Sequence, residues 1–491
     1  MTPEFMLNLA ILLPFVAAVL IGLSGSRPNV REGFTLGSSA LVWVLVVLIY
    51  RHHQNALEPL QVQWFELLPG LGFGFRVEPL GLIFALVAST LWIATSIYSI
   101  GYMRGNREQH QTRFFMLFPI AISAAIGIAF ASNLLTLFLF YEIMTLSTYP
   151  LVTHKGTEAA MKAGRVYLGV LLTSSIILFL PAIIWVWVAT GTTDFTAGGI
   201  IKGHIDGIWI TLLGFMFTLG IGKAAVMPVH RWLPAAMVAP TPVSALLHAV
   251  AVVKAGVFSL LKVVVYIFGI DQLREAPFSN WLLYLAFFTV LISSVIAWQQ
   301  DNLKRRLAYS TISQLSYVVM STMLLTPLSV AGAAFHIAAH AFGKITLFFA
   351  AGSIYTASKK TEISQLNGIG YRMPWTMAAF SIGCLSMIGI PPAVGFVSKW
   401  YILMGGFESG QLATLVVILI STLLNAAYFV PIVYRAFFLK ATRTEGESES
   451  HGEAPLAIVI PLMFVAAMTL ILFFFPQLFH QLAIAIPVQS P

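Results

Sequence analysis

Five lysines stand inside stretches that are otherwise apolar: Lys223, Lys254, Lys262, Lys344 and Lys399. An ammonium at a bilayer centre costs about 2.5 to 3.5 kcal/mol on insertion scales, so such a residue normally faces a bundle interior or a wet cavity and marks an ion path. Among the nineteen acidic residues only Glu142, in the run Leu-Phe-Leu-Phe-Tyr-Glu142-Ile-Met-Thr, sits well inside an apolar stretch. One carboxylate among several amines is a natural ion pair, and the amines left without a counter-charge are natural proton carriers. A structural salt bridge that only pins two helices remains open on these residues alone.

A second constellation is His336-Ile-Ala-Ala-His340-Ala-Phe-Gly-Lys344, with a titratable group every four residues. On a helix that stripe drifts only about 40° per step, so all three share one face. Histidine titrates near neutrality and suits a proton relay. His248 lies six residues before Lys254, on a different face, and reads as a helix-to-helix hydrogen bond. Lys262, eight residues beyond Lys254, reads as a side chain that snorkels to an interface. A His-x-x-x-His pair can bind zinc, but no Asp or Glu lies nearby as ligand or base, so no metal is expected.

Two segments read as broken helices: Gly222-Lys223-Ala-Ala-Val-Met-Pro228-Val-His230-Arg-Trp-Leu-Pro234, and Gly389-Ile-Pro391-Pro392-Ala-Val-Gly395-Phe-Val-Ser-Lys399. Each proline removes a backbone donor within or near the end of a span. Proline-interrupted spans at corresponding positions of two halves point to inverted repeats, with the ion path at the breaks. An ordinary proline kink is the plainer reading of either segment alone.

The elements that must carry these residues are membrane spans. Of 491 residues, 58% are hydrophobic and 9% charged, against roughly a quarter charged in a soluble domain. That excludes a soluble protein. Apolar runs of span length begin near residues 5, 32, 78, 113, 132, 164, 208, 241, 280, 307, 329, 373, 410 and 454, giving about fourteen helices with no barrel alternation and no linker. Leu7 to Leu23 reads as a first span retained in the mature protein, because no basic region of a signal peptide precedes it. The most polar stretch, Lys440 to Glu453, reads as a loop before the last span.

Basic residues mark the cytoplasmic side. Odd-numbered loops hold eighteen of the twenty-seven Lys and Arg, even-numbered loops hold four, and the remaining five are the buried lysines. This places both termini on the extracytoplasmic side. The net charge of +8 follows from the same rule, so nucleic acid is not an expected partner. The single cysteine, Cys384, excludes disulfides and cysteine-held metal or redox clusters. No Walker A motif is present, and Gly70-Leu-Gly72-Phe-Gly74 neither follows an expected strand nor opens a dinucleotide-binding helix. No cofactor is expected.

The stretch His230-Arg-Trp-Leu-Pro-Ala-Ala-Met-Val-Ala-Pro240-Thr-Pro242-Val-Ser-Ala-Leu-Leu-His248-Ala-Val-Ala-Val-Val-Lys254-Ala-Gly-Val-Phe resembles the signature of the antiporter-like subunits shared by respiratory complex I, membrane-bound hydrogenases and Mrp multisubunit cation/proton antiporters. Within that superfamily, the part from His248 onward and the later Glu362-Ile-Ser-Gln-Leu-Asn-Gly-Ile-Gly-Tyr-Arg-Met-Pro374 look most like the D-type subunit of the Mrp branch. The similarity covers roughly residues 75 to 440.

The resemblance implies an all-α polytopic fold of about fourteen helices. Its divisions would be a three-helix segment at 1–112, inverted five-helix repeats at 113–270 and 271–440, and a last helix at 441–491, with spans 7 and 12 broken at Pro228 and at Pro391 and Pro392. It implies a proton path along Glu142, Lys223, Lys254, His340, Lys344 and Lys399, in which pairing of Glu142 with Lys223 acts as a switch. Some relatives carry glutamate at the position of Lys399. His230, His248, His336 and Lys262 are possible further members.

The function implied is a non-enzymatic subunit of a Na+/H+ antiporter in a bacterial or archaeal plasma membrane, among partner membrane subunits. It would move H+ against Na+, with K+ or Li+ as further candidate cations. The sodium route is expected in a partner, because this chain offers one buried carboxylate with only hydroxyls such as Thr145 and Ser147 beside it. Two other readings stand: a proton-pumping subunit driven by redox partners in an NADH:quinone oxidoreductase or hydrogenase, and a passive scaffold whose buried charges only fix packing.

Overall fold

Prolines and small polar residues punctuate this chain into helices. The computed structural model describes residues 2–277, 279–440 and 452–488, with His248 by its backbone alone. The polar stretch 441–451 lies outside the described residues. In chain order the helices are α1 (Pro3–Leu23), α2 (Pro28–Asn55), α3 (Pro79–Gly105), α4 (Gln111–Phe130), α5 (Leu134–Val152) and α6 (Glu158–Thr190). There follow α7 (Ile208–Gly220), α8 (Val252–Val263), α9 (Trp281–Gln299), α10 (Leu303–Thr322) and α11 (Pro327–Ser358). The last are α12 (Pro374–Ile388), α13 (Val394–Glu408), α14 (Leu412–Phe438), α15 (Leu456–Phe474) and α16 (Gln477–Ile484). Every expected start but one lies within six residues of the start of one of these helices; the start near 241 instead meets a short helix, Thr241–Ala245, that precedes α8.

The starts have local causes. Pro3, Pro28, Pro79, Pro327 and Pro374 open helices, where the missing N–H has no helical partner to lose. Asn133 and Asn302 cap α5 and α10 by accepting from the backbone N–H of Thr136 (2.9 Å) and Arg305 (3.1 Å). Thr326 and Ser329 close a reciprocal capping box at the head of α11.

Ten helices among the described residues are long and apolar enough to cross a membrane. The most apolar window of α11, a helix of 32 residues, is enclosed throughout. It packs against α3, α10, α12, α13 and α15 and forms the axis of the bundle. α10 carries Lys304, Arg305 and Arg306 and many hydroxyls, so it falls short of that apolarity, yet it is buried along most of its length. Its polarity is turned inward. Outside, Leu139 and Leu146 of α5 and Val416, Leu419 and Leu423 of α14 are exposed, an apolar exterior suited to lipid chains. The chain is a polytopic, predominantly helical, membrane-embedded protein.

One addition corrects the purely helical expectation. Gln61–Leu68 (β1) and Leu71–Arg76 (β2) form an antiparallel hairpin. Gly70 takes a φ of +72° at its turn, which glycine adopts without strain. Gly70 to Gly74 therefore do follow a strand, as turn and second strand, and open no helix. The three glycines conceal the alternation expected of a strand, because β2 lies against the head of α5 with Gly74 N–H donating to Thr136 Oγ1 (3.1 Å) and Asn133 Nδ2 donating to the Gly72 carbonyl (3.0 Å).

Candidate functional site

Both proline-bearing segments break their helices and present a lysine there. α7 stops at Gly220, Gly222–Ala224 makes one 3-10 turn, and Ala225 enters the left-handed region at φ +55°. Lys223 occupies that turn. Its backbone N–H donates to Tyr141 Oη (3.1 Å), and Trp232 Nε1 donates to the Gly222 carbonyl (3.0 Å), so backbone groups freed by the break are satisfied within the protein. α8 closes against the turn so tightly that a Cβ on Gly256 would lie 2.2 Å from the Lys223 carbonyl carbon.

The second break ends α12 at Ile388, with Gly389 at φ +86°, and restarts the helix at Val394 beyond Pro391 and Pro392. Lys399 reaches back and donates to the carbonyls of Met387 and Ile388, each at 2.9 Å. These belong to the last turn of α12, where carbonyls lack helical partners and the helix dipole is negative. A Cβ on Gly389 would stand 2.6 Å from Lys399 Cδ. Glycine is needed there both for its φ and for the lysine's approach.

The middle of the site is built on α11. His340 Nδ1 contacts Lys254 Nζ of α8, and the His336 and His340 rings lie nearly parallel with centroids 6.1 Å apart. His336 Nδ1 bonds Ser398 Oγ at 2.8 Å, and Ser398 precedes Lys399 in the chain. Tyr317 of α10 lies between, its ring 5.8 Å from His336 and 4.9 Å from Lys399 Nζ. A second branch begins at Lys344, which donates to Ser310 Oγ (2.9 Å). Ser310 Oγ also bonds Tyr428 Oη (3.1 Å), whose hydroxyl donates to Asn425. Asn425 Nδ2 and Gln314 Nε2 each donate to the Met387 carbonyl at 3.4 Å, the same carbonyl that accepts from Lys399. His336, His340 and Lys344 thus share the expected face and fan out to α13, α8 and α10.

Three expectations change. Lys223 is not ion-paired with Glu142: its ammonium donates to the Tyr141 carbonyl (2.8 Å) and Thr145 Oγ1 (2.6 Å) over the Tyr141 ring. Tyr141 and Thr145 point into the bundle, whereas Glu142, about 100° further round α5, shares the outer face with exposed Leu139 and Leu146. Both Glu142 carboxylate oxygens are enclosed without a hydrogen-bond partner among the described residues.

Lys262 does not snorkel. It is fully buried, paired with Glu78 at 3.1 Å, and donates to the Ala131 carbonyl at 2.7 Å. The hairpin delivers Glu78 to the head of α3 beneath it. Nor is Glu142 the one sheltered carboxylate: Glu78 is 6% and Glu32 5% exposed, the latter bonded to Arg104 at 2.5 Å. Both lie at helix ends, where hydropathy reads loop. His230 stands apart, its ring 6.4 Å from Tyr309, and the side chain of His248 lies outside the described residues. Among the described residues no three of His, Cys, Asp and Glu gather as a metal site.

A family profile described as NADH:quinone oxidoreductase/Mrp antiporter, transmembrane region, matches residues 131–425. The chain belongs to this family. The match holds more than half of the chain and every lysine and histidine of the site. A second profile, the N-terminus of complex I chain 5, matches residues 64–115 and takes in Glu78. NADH-quinone oxidoreductase subunit N of Desulforudis audaxviator is 29% identical over 407 residues, covering 80% of each chain. The A/B component of a probable K(+)/H(+) antiporter of Rhizobium meliloti is 32% identical over 404 residues; the match takes in 81% of this chain but only 39% of that protein. The fold matches a chain of the Mrp complex from Dietzia sp. DQ12-45-1b at a TM-score of 0.88 and 21% identity, over 100% of this chain and 98% of that one. This antiporter-like subunit is therefore of the proton-transporting, multi-pass class.

Sequence reasoning missed the hydroxyl and amide members of the site: Tyr141, Ser310, Gln314, Ser398, Asn425 and Tyr428. Asn425, alone between Leu-Leu and Ala-Ala in a span, carried a legible signal of the kind that marks buried polar partners. The serines did not, because serine is common on span interiors and bonds its own helix.

Proposed function

We propose that this chain is the proton-carrying subunit of a Mrp-type antiporter exchanging Na+ or other monovalent cations for H+, of the D type, and not itself an enzyme. The observation that supports it is the string of neighbouring groups from Lys254 through His340, His336 and Tyr317 to Lys399. Each member is a group that can take up or pass on a proton, and the string is sheltered from water. A proton arriving at Lys254 repels charge on Lys344 and Lys399, which low surrounding dielectric leaves poorly screened. Lys223 feeds the string from the broken α7, with Glu142 as counter-charge.

The accompanying fold reading counts fourteen spans, with α7 and its continuation as one and α12–α13 as another. Repeats occupy 113–270 and 271–440, flanked by 1–112 and 441–491, and both termini lie outside the plasma membrane of a bacterium or archaeon. Partner membrane subunits complete the complex and hold the cation route, which passes Na+ and also K+ or Li+.

The redox-pump reading is the rival. It draws support from the oxidoreductase relative that aligns over 80% of both chains. The test is sodium-induced collapse of a preformed pH gradient in inside-out vesicles carrying the whole complex, with native protein beside Lys223→Ala at equal assembled amount. Collapse with native protein and none with the variant is the expected result. Vesicles that ignore sodium but acidify on a respiratory electron donor establish the rival. Equal transport by native and variant complexes establishes the passive scaffold.

A further inference from the structure

Lys223 rests on groups for which the proposed path has no use. Its ammonium is held by the Tyr141 carbonyl at 2.8 Å and by Thr145 Oγ1 at 2.6 Å, with the Tyr141 ring centroid 3.1 Å away. Thr145 is fully buried, and its hydroxyl in turn donates to the same carbonyl at 3.2 Å. One residue along α5, both oxygens of Glu142 are enclosed and without a hydrogen-bond partner among the described residues. A buried carboxylate left so beside a lysine favours moving the lysine toward it. Lys223 therefore has two candidate partners on one helix, the Tyr141 carbonyl with Thr145 that it occupies and the unpartnered carboxylate of the next residue, Glu142.

We infer that Thr145 and the Tyr141 carbonyl form a second seat for Lys223, competing with Glu142, and that the balance between the seats sets the pH at which this subunit passes protons. The inference rests on the proton-carrying reading above and adds a positioning residue to it. In the Glu142 seat the carboxylate stabilises the charged amine and holds its proton. In the Thr145 seat two neutral oxygens and the Tyr141 ring stabilise the charged amine less than a carboxylate does, so the proton leaves more readily for the string. No bond other than N–H is made or broken: the proton leaves Lys223 Nζ for the next acceptor, and the lysine regains one from the side it came from. The titratable and charged groups around Lys223 are Tyr141 and Glu142 on α5, Tyr167 on α6, whose hydroxyl bonds Thr148 at 2.6 Å, Lys254 on α8, and His230 and Arg231 farther along its own break.

Thr145→Val keeps the volume and removes the acceptor, while Thr145→Ser keeps the acceptor. The whole complex is assayed for sodium-driven exchange across pH in vesicles at equal assembled amount, beside Lys223→Ala. Loss of a hydrogen bond to a charged group shifts the seat balance at least about tenfold. Thr145→Val should therefore move the pH optimum of exchange upward by about one unit, with reduced exchange near neutrality, and Thr145→Ser should restore the native profile. A native profile for Thr145→Val overturns the second seat, as does an equal loss in both variants with the optimum unmoved. Retained exchange by Lys223→Ala overturns the proton-carrying reading itself, which keeps the two failures apart. Where Thr145→Val assembles poorly, Thr145→Ala serves in its place, with the same upward shift expected and an unmoved optimum again decisive against the seat.

Discussion

Glu142 and Lys223 stand close without pairing, and Lys262 and Glu78 pair where no pair was expected; the two cases make opposite predictions. Removing Glu142 takes away a side chain with no hydrogen-bond partner among the described residues, and removing Lys223 leaves the Thr145 hydroxyl still bonded to the Tyr141 carbonyl. Glu142→Ala and Lys223→Ala should assemble at near-native amounts and lose exchange, as read by vesicle transport normalised to complex present. Lys262 is the structural case. Lys262→Ala leaves Glu78 buried with Arg76 as its nearest cation, at 3.9 Å, and an uncompensated buried charge costs about 3 to 5 kcal/mol. Lower assembled amount and a lower melting temperature in detergent should follow. The double variant Lys262→Met with Glu78→Gln leaves no orphan charge and should recover most of that loss. Equal melting of the single and double variants would show that the pair contributes nothing.

At the scale of elements, two breaks depend on glycines that no neighbouring side chain can replace. Gly256→Ala drives a Cβ to 2.2 Å from both the Lys223 carbonyl carbon and the Ala224 nitrogen. Backbone cannot yield as a side-chain tip does, so the 3-10 turn and Lys223 must shift. Exchange should fall at least about tenfold, since misplacement by about 1 Å can cost a hundredfold in a positioned site. Gly389→Ala meets the flexible stem of Lys399 but forces φ +86° on a residue with a Cβ, a strain of about 1 to 3 kcal/mol. It should weaken assembly as well as transport. Normal exchange by assembled Gly256→Ala would remove the tight turn from the mechanism. The breaks themselves were legible in the sequence, because proline and glycine act locally. The hairpin was not, because its strands are short and its glycine-rich second strand is specified by the head of α5.

For the whole molecule, the excess of basic residues in odd-numbered loops predicts an orientation with both termini extracytoplasmic. In a Cys384→Ser background, Lys202→Cys and Gln109→Cys place single thiols at exposed positions in an even and an odd loop respectively. A membrane-impermeant thiol reagent applied to intact cells should label the first and spare the second. The reverse pattern would turn the molecule over in the membrane and place both termini in the cytoplasm.

Spans, breaks and buried lysines were readable from the chain alone. Hydropathy, proline geometry and the cost of charge in lipid act on each segment independently of its neighbours. The residues that face one another across the bundle were not readable, because rotation about each helix axis is set by packing. That rotation turns Tyr141 and Thr145 inward and Glu142 outward on α5, and it joins Lys344 to Ser310 and His336 to Ser398. The tertiary structure alone decided that Lys223 rests on neutral oxygens and Lys262 on a carboxylate, since both partners come from helices remote in sequence, and one of them is delivered by a hairpin that no periodicity announced.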